Sequence, residues 1–257
     1  MPSWDPDIYE RFKTYRDRPA LDLLLQVPAD LNPSEIWDLG CGTGEHAAVL
    51  AARHPSARVH GLDSSPDMLA RARSRNADVD WVQADLAQFA PPVPADLIFT
   101  NAALQWSPDH AALIPRLASR LASDGVFACQ MPAAHDSDWH RALSDLAGEA
   151  AWAARFRDVV GPRPIAGAEQ YYDWLSPVCD QVDIWTTTYL HVLEGDDPVV
   201  DWMRGTALRP FLDALTDPSE RETFLAAYRE RVRAALPPQT DGTTLFPFPR
   251  IFILARR

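Results

Sequence analysis

The sequence has few cysteines, no long apolar run and no excess of positive charge, and each shortage excludes a class of protein. Its three cysteines, Cys41, Cys129 and Cys179, are far apart and form no C-x-x-C pair, which argues against a disulfide framework or a zinc ribbon. No apolar run approaches the ~20 residues that span a bilayer. The first residues lack the basic start and apolar core of a signal peptide. We therefore expect a reduced, cytoplasmic protein without a metal site.

The formal net charge of −12 makes two kinds of partner improbable. Nucleic acids and anionic membranes both require a basic face on the protein that binds them. We expect neither partner, and we expect a monomer. The 257 residues, of which 47% are hydrophobic, are sufficient for one globular domain with a substantial core.

Strand-like apolar runs alternate with helical patterns along the chain. Strands are predicted at 35–39, 58–63, 79–85, 95–101 and 125–132, with weaker ones at 182–192 and 248–255. Helices are predicted at 45–54, 65–74 and 108–122, and the intervals 138–160 and 218–236 are also helical in pattern. This order predicts an α/β fold with a mostly parallel sheet.

The chain is predicted to be a single domain over 1–257. Its core is expected at 20–132, 180–192 and 246–257. The segments 1–19, 133–179 and 193–245 are expected to be helical additions that cap one end of the sheet, because structureless loops of that length are uncommon.

The stretch IWDLGCGTGEH, residues 36–46, is the first candidate for a ligand site. Asp38 ends an apolar strand, and Gly40, Gly42 and Gly44 follow at alternate positions. Pyrophosphate sites use G-x-G-x-x-G, and an acid just ahead would repel a pyrophosphate. S-adenosylmethionine instead carries an ammonium and a sulfonium and no phosphate. The pattern favours this cofactor, with a glycine-rich turn that binds nothing as the alternative.

Two more acids follow the next two strands. Asp63 is placed to accept hydrogen bonds from both ribose hydroxyls, and Asp85 lies where a carboxylate or its neighbouring backbone meets an adenine amino group. Each acid alone also fits a helix cap, and Asp63 precedes Ser64, Ser65 and Pro66, which resembles a helix start. Acids at three successive strand ends favour the cofactor.

Several segments, spread from end to end of the chain, carry a more specific resemblance. They are WDPDIYERF (4–12), RPALDLL (18–24), DLGCGTG (38–44), GLDSSPDML (61–69), NAALQWSPDH (101–110), QMP (130–132), GTALRPFLDAL (205–215) and LFPFPRIFILA (245–255). With them the chain resembles the trans-aconitate methyltransferases. These are Rossmann-like, S-adenosylmethionine-dependent enzymes with a seven-stranded, mostly parallel sheet and helices on both faces.

The resemblance implies methyl transfer to a carboxylate of trans-aconitate, a planar trianion, to give a monomethyl ester. The residues expected at the cofactor are Asp38, Gly40, Cys41, Gly42, Gly44, Asp63, Ser64, Met68, Asp85, Leu86, Asn101 and Arg18. Those expected at the tricarboxylate substrate are Tyr9, Gln105, Trp106, His140, Arg204, Arg209 and Arg250.

No catalytic acid or base is expected, because a carboxylate is already ionised at neutral pH. Holding oxygen, methyl carbon and sulfur in line contributes roughly 7–11 kcal/mol to such reactions. Trp106 is expected to exclude water from the site, with burial in the core as the alternative. Arginines suit a trianion because the guanidinium fork matches a carboxylate. The alternative for each arginine is a surface ion pair.

Three other functions stay open at this point. The chain could methylate another small carboxylate or hydroxyl acceptor. It could be a regulator that binds the cofactor without turnover. A nicotinamide oxidoreductase is disfavoured by the acid ahead of the glycines and by the absence of G-x-G-x-x-G.

Overall fold

Seven strands form one sheet in the computed structural model, which describes residues 13–75, 77–159 and 165–257. The strands are β1 (Glu35–Leu39), β2 (Arg58–Asp63), β3 (Asp80–Gln83), β4 (Ala95–Asn101), β5 (Leu121–Pro132), β6 (Gln181–Leu193) and β7 (Thr244–Arg256). Their order is β3-β2-β1-β4-β5-β7-β6, so β6 lies at a margin, as its alternating sequence predicts.

The first five strands are parallel, and the sheet is mixed only where β7 joins it. β1 pairs with β2 and with β4, β2 pairs with β3, and β4 pairs with β5, all parallel. β7 is antiparallel to β5. The N–H of Asp124, near the start of β5, donates to the carbonyl of Arg257, whereas the N–H of Ala133, just after β5, donates to the carbonyl of Pro249. The carboxyl ends of β1, β2 and β4 therefore meet at one edge. The predicted fold class is confirmed.

Helices connect the strands, and each interval predicted to be helical contains one. The described helices are α1 (Lys13–Gln26), α2 (Glu45–Arg53), α3 (Pro66–Arg73), α4 (His110–Ala118), α5 (Asp138–Gly148), α6 (Ala168–Leu175), α7 (Pro198–Arg204), α8 (Arg209–Ala214) and α9 (Pro218–Ala235). Side-chain caps define three of the starts. At α9, Asp217 accepts from the N–H of Ser219. Ser65 accepts from the N–H of Met68, and Asp109 accepts from the N–H of Ala112.

Two helix predictions extend too far. The helix predicted over 138–160 ends at Gly148, and the chain continues as turns after Glu149 takes an extended conformation. Glycine is a poor helix former, and the apolar residues that follow are buried from turns rather than from a helical face. The helix predicted over 108–122 ends at Ala118, and β5 begins at Leu121.

The chain divides into two compact units. We call the first the sheet unit; it comprises Asp17–Pro132, Ile165–Thr187 and Ile251–Arg257. Its core is the interior of the sheet, where Ile36, Leu39, Leu97 and Phe99 are fully buried. The finer division into core and cap segments stays a prediction.

The second, which we call the helical unit, has an aromatic core. It comprises the described parts of 1–16, 133–164 and 188–250, and includes α5, α7, α8 and α9. The ring of Trp139 lies 5.0 Å from that of Phe246 and 5.3 Å from that of Phe248. The intervals 138–160 and 218–236, which are helical in sequence pattern, contain α5 and α9. None of the described helices is long and apolar enough to cross a membrane.

Candidate functional site

The glycine turn after β1 is held by backbone hydrogen bonds to β2. The N–H groups of Gly40 and Cys41 both donate to the carbonyl of Leu62, at 2.7 and 3.0 Å. Gly40, Gly42 and Gly44 have φ values of 73°, 56° and 82°, in the left-handed region that glycine enters without strain. The alternating spacing of the glycines therefore gives a turn that only this residue type builds at low cost.

The glycines also differ in what surrounds them. A Cβ on Gly40 would lie 2.3 Å from the Cβ of Ala103, and one on Gly44 would lie 2.4 Å from the ring of Trp81. A Cβ on Gly42 would meet no atom within 4 Å among the described residues. Gly40 and Gly44 thus allow close packing within the protein, whereas Gly42 faces open space at the edge where ligands bind in parallel sheets.

Trp81 is a supporting residue that sequence reasoning missed. Its ring lies over the turn and over β2, since a Cβ on Gly61 would be only 2.5 Å from it. A tryptophan in a short strand carries no local signal of this contact. The only indication in the sequence was that two glycines, Gly44 and Gly61, lack the side chains that would otherwise fill the space of a large aromatic ring.

Asp63 connects the end of β2 to the glycine turn. Its Oδ2 accepts from the N–H of Gly42 at 2.9 Å, and its Oδ1 accepts from the N–H of Ser65 at 2.8 Å. Each carboxylate oxygen retains a second lone pair. Asp63 thus shapes the turn between β2 and α3, whose N-cap is Ser65, and it retains acceptor capacity for ribose hydroxyls.

Asp38 is a buried carboxyl group at the end of β1. It is 1% exposed, and its Oδ2 has no hydrogen-bond partner within the described chain. Burial is the main cause that raises the pKa of Asp38 to about 8; the N–H of Ala47 lowers this pKa, and the charges of Asp63 and Glu45 add smaller contributions that raise it. A buried cation at this carboxyl group would favour the ionised form.

Two more buried acceptors lie at the end of β4 and in the turn after it. The Oδ1 of Asn101 and the Oε1 of Gln105 lack hydrogen-bond partners among residues 13–75, 77–159 and 165–257. The amide nitrogen of Gln105 donates to the carbonyl of Ala102 at 2.7 Å, which fixes the side chain. β1 and β4 are adjacent, so Asp38, Asn101 and Gln105 present unpartnered oxygens at neighbouring strand ends. Each unsatisfied acceptor costs about 1–3 kcal/mol. The edge is therefore suited to a ligand rich in N–H donors.

Cys41, Ser64 and Met68 lie along the same edge of the sheet unit. Cys41 is buried, and burial together with the charges of Asp38 and Asp63 keeps the pKa of its thiol well above the ordinary value. It is therefore a neutral thiol and a poor nucleophile. Ser64 is exposed, and Met68 lies in the first turn of α3.

The turn after β3 is fixed by an arginine from α4. Asp85 is exposed and caps this turn, because its Oδ1 accepts from the N–H of Ala87 at 2.8 Å. Arg116 donates to the carbonyl of Leu86 at 3.0 Å and to that of Phe89 at 2.9 Å. Sequence reasoning missed Arg116, since it lies about thirty residues away along the chain.

Trp106 is 43% exposed, so the alternative in which it belongs to the core is wrong. Arg18 is exposed on α1, with its Nε 3.7 Å from a carboxylate oxygen of Asp22. Tyr9 lies outside the described residues. The assignment of all three residues to a ligand stays a prediction.

The remaining substrate candidates lie in the helical unit. Arg250 is 4% exposed, and its guanidinium carbon lies 4.6 Å from the centre of the Phe248 ring. Arg209 lies 3.5 Å from Asp213, one turn along α8. The Nε of Arg204 is buried without a hydrogen-bond partner in the described part of the chain. The pKa of His140 is lowered by burial and, less strongly, by His135. The cofactor candidates thus all belong to the sheet unit, whereas Arg204, Arg209, Arg250 and His140 belong to the helical unit.

Comparison with known proteins identifies a matching domain family and full-length relatives that share one name. Residues 36–125 match a family model described as a methyltransferase domain. The chain is 46% identical to the trans-aconitate 2-methyltransferase of Azoarcus sp. (strain BH72) over the full length of both proteins. It is 48% identical to the protein of that name from Methylobacterium nodulans, with 100% of this chain and 99% of the relative covered. The Escherichia coli K12 relative of the same name is 44% identical at the same coverage.

Solved structures share the fold at low identity. The YcgJ protein of Bacillus subtilis superposes with a TM-score of 0.63 at 17% identity, over 93% of this chain and 98% of that one. A phosphoethanolamine N-methyltransferase 2 of Haemonchus contortus, solved with S-adenosyl-L-methionine, gives 0.54 at 16% identity, over 93% of this chain and 52% of that one. These likenesses support the Rossmann-like assignment of the sheet.

Proposed function

The chain belongs to the trans-aconitate 2-methyltransferase family, and from this premise we propose that it transfers the methyl group of S-adenosylmethionine to a carboxylate of trans-aconitate. The predictions of the family, of an enzyme that transfers methyl groups and of S-adenosylmethionine as cofactor are confirmed by full-length identities of 44% to 48%. The proposed products are a monomethyl ester and S-adenosylhomocysteine.

The set of unpartnered acceptors at the sheet edge is the observation that carries the cofactor side of this proposal. Asp38, Asn101 and Gln105 each present one buried oxygen that lacks a donor in the described chain. The α-ammonium of S-adenosylmethionine offers three N–H donors and a positive charge. A buried carboxyl group with two neutral acceptors therefore fits the amino-acid end of this cofactor, and the open side of Gly42 admits its approach.

The reaction requires placement rather than proton transfer. The carboxylate oxygen attacks the methyl carbon, the carbon–sulfur bond breaks, and its electron pair returns to sulfur, which becomes a neutral thioether. The attacking oxygen is already ionised, so no general base is needed. The protein supplies alignment and removal of water from the nucleophile.

We assign the carboxylates of the substrate to the arginines of the helical unit. Arg250 is the leading candidate, because a guanidinium that is 4% exposed and stacked on an aromatic ring is desolvated and fixed in direction. Arg204 offers a buried Nε–H that lacks an acceptor among the described residues. Arg209, His140, Trp106 and Tyr9 complete the proposed set, and Arg209 lies 3.5 Å from Asp213. Gln105, which the sequence places among the substrate residues, is here proposed at the cofactor instead, because its buried Oε1 lacks a donor in the described chain. A local group of cations attracts a trianion despite the net charge of −12.

The test is a transfer assay with purified protein and methyl-labelled S-adenosylmethionine. Trans-aconitate, cis-aconitate, isocitrate and citrate serve as acceptors in parallel. We expect the highest kcat/KM with trans-aconitate. A higher kcat/KM with another acceptor would refute trans-aconitate as the substrate, but it would not refute the assignment as a methyltransferase. Calorimetric binding of S-adenosylhomocysteine without turnover on any acceptor would support the regulator instead.

We further propose that the protein acts in the cytoplasm as a monomer, without a nucleic-acid or membrane partner. The acidic net charge supports this view. Analytical ultracentrifugation at micromolar concentration should give a single species near the mass of one chain. A dimer whose fraction increases with protein concentration would refute the proposed monomeric state.

A further inference from the structure

A histidine that the reaction does not use bridges two segments of the sheet unit. The Nε2 of His110 lies 2.7 Å from the carbonyl oxygen of Leu104, and its Nδ1 lies 2.7 Å from the hydroxyl of Tyr171. The N–H of Ala166 donates to the same hydroxyl at 3.3 Å. Tyr171 is 0% exposed and lies in α6, whereas His110 begins α4 as its sequence predicts.

The hydrogen bonds are satisfied together by only one tautomer of the neutral ring. A carbonyl oxygen accepts and never donates, so the Nε2 of His110 carries the proton. The Nδ1 then accepts, and the hydroxyl of Tyr171 donates to it. Burial raises the pKa of Tyr171 above its ordinary value, which keeps the phenol protonated as a donor. The carbonyl of Leu104 thus fixes the tautomer, and the hydroxyl of Tyr171 supplies the donor that the Nδ1 of His110 then needs.

The segment that His110 holds is a wall of the proposed cofactor site. Leu104 starts a short 3-10 turn, Leu104–Trp106, that contains Gln105 and its unpartnered acceptor. Just before it, Ala102 has a φ of 51°, a left-handed conformation that is strained for a residue with a Cβ. Ala103 leaves no room for a Cβ on Gly40. Strained backbone persists only where its surroundings determine it, and the carbonyl of Leu104 is one such point of attachment.

We propose that His110 and Tyr171 are positioning residues that hold the Leu104–Trp106 turn in place for the cofactor. The proposal rests on the assignment of this edge to S-adenosylmethionine. His110 acts through the carbonyl of Leu104, and Tyr171 acts through His110. Neither side chain has a role in the chemical step.

Calorimetric titration of purified variants with S-adenosylhomocysteine tests the proposal. His110→Asn should weaken binding roughly tenfold, because the shorter side chain leaves the carbonyl of Leu104 without a donor. His110→Gln should bind within about twofold of the parent, since its amide reaches the position of Nε2. Tyr171→Phe should weaken binding roughly threefold to fivefold, because it leaves the Nδ1 of His110 without a donor and the ring less firmly held. Tyr172→Phe is the matched control, because the neighbouring tyrosine is 53% exposed, and it should change nothing.

A double-mutant cycle separates this role from general structural support. Because Tyr171 acts through His110, Tyr171→Phe should have no further effect on binding in the His110→Asn background. Additive losses, or equal losses in His110→Asn and His110→Gln, would overturn the proposal. The binding constant concerns the folded protein, so a lowered melting temperature with unchanged affinity would also overturn it.

The parent protein distinguishes failure of the inference from failure of the proposed function. If the parent does not bind S-adenosylhomocysteine, the cofactor assignment itself is wrong. If the parent binds and all four variants bind as the parent does, the cofactor assignment stands and His110 and Tyr171 have no positioning role. In active variants, the KM for S-adenosylmethionine should rise by a larger factor than the KM for the tricarboxylate, because the turn positions Gln105 against the cofactor and Trp106 alone against the substrate.

Discussion

Asp38→Asn addresses the physical basis of cofactor binding most sharply. The carboxyl group is 1% exposed with a pKa of about 8, so at pH 7 its protonated form outnumbers the ionised form by about ten to one. An ammonium placed against it should lower this pKa and drive the proton off. Binding should therefore release most of one proton per cofactor at pH 7.

The sign of the pH dependence follows from this release. In the free protein the pKa of Asp38 is raised above its unfolded value, so its unfavourable contribution to stability grows as pH rises from about 4 to about 8. The bound cation offsets this contribution by favouring the ionised form. Affinity for S-adenosylhomocysteine should accordingly increase with pH between about 5.5 and 7.5, by up to tenfold per pH unit.

The expected loss of affinity in Asp38→Asn follows from two opposing contributions to the free energy of binding. A hydrogen bond between charged groups contributes up to about 3 kcal/mol. Ionising Asp38 one pH unit below its pKa costs about 1.4 kcal/mol. The difference predicts that Asp38→Asn weakens binding roughly tenfold at pH 7. It should also abolish the release of protons and flatten the pH profile.

Calorimetry in buffers of different ionisation enthalpy measures both quantities. Asp67→Asn is the control, because Asp67 is an exposed residue in the first turn of α3 and undergoes the same change of side chain. It should leave the proton release intact. The reasoning is refuted if the parent releases no proton at pH 7, or if Asp38→Asn keeps the pH profile of the parent.

Three further substitutions test other parts of the site. Gly44→Ala should lower both the melting temperature and the cofactor affinity, since its Cβ would lie 2.4 Å from the ring of Trp81. A melting temperature equal to that of the parent would show that the ring moves aside freely. Arg116→Lys keeps the charge but loses the fork that holds Leu86, so calorimetry should show cofactor binding weakened severalfold, and unchanged binding would remove Arg116 from the support of this turn. Arg250→Ala should raise the KM for trans-aconitate at least tenfold with unchanged cofactor affinity; an unaltered KM would exclude Arg250 from the substrate site.

Local patterns predict much of the sheet and of the cofactor edge. β1, β2 and β4 begin and end at the predicted residues, because each is a short apolar run bounded by turn residues. Asp38, Asp63 and the glycines lie within one turn of these ends, so strand prediction also locates them. The helix over 138–160 was predicted too long because apolar spacing continues past Gly148 while the backbone does not.

Contacts between distant residues account for what the sequence does not reveal. Trp81 fills the space left by Gly44 and Gly61, and Arg116 reaches a turn about thirty residues away. His110 is identified from the sequence as a helix start, but its bond to Tyr171 spans 61 positions. The burial of Arg250 between apolar neighbours is suggested by FPFPRIF, whereas its stacking on Phe248 depends on the fold.

A crystal structure of the complex with S-adenosylhomocysteine is the most direct test of the cofactor site. We predict the ammonium nitrogen within about 3.2 Å of the oxygens of Asp38 and at least one of Asn101 and Gln105, with the ribose hydroxyls on Asp63. A bound nucleoside whose ammonium lies elsewhere, with those oxygens still lacking a donor, would contradict the account.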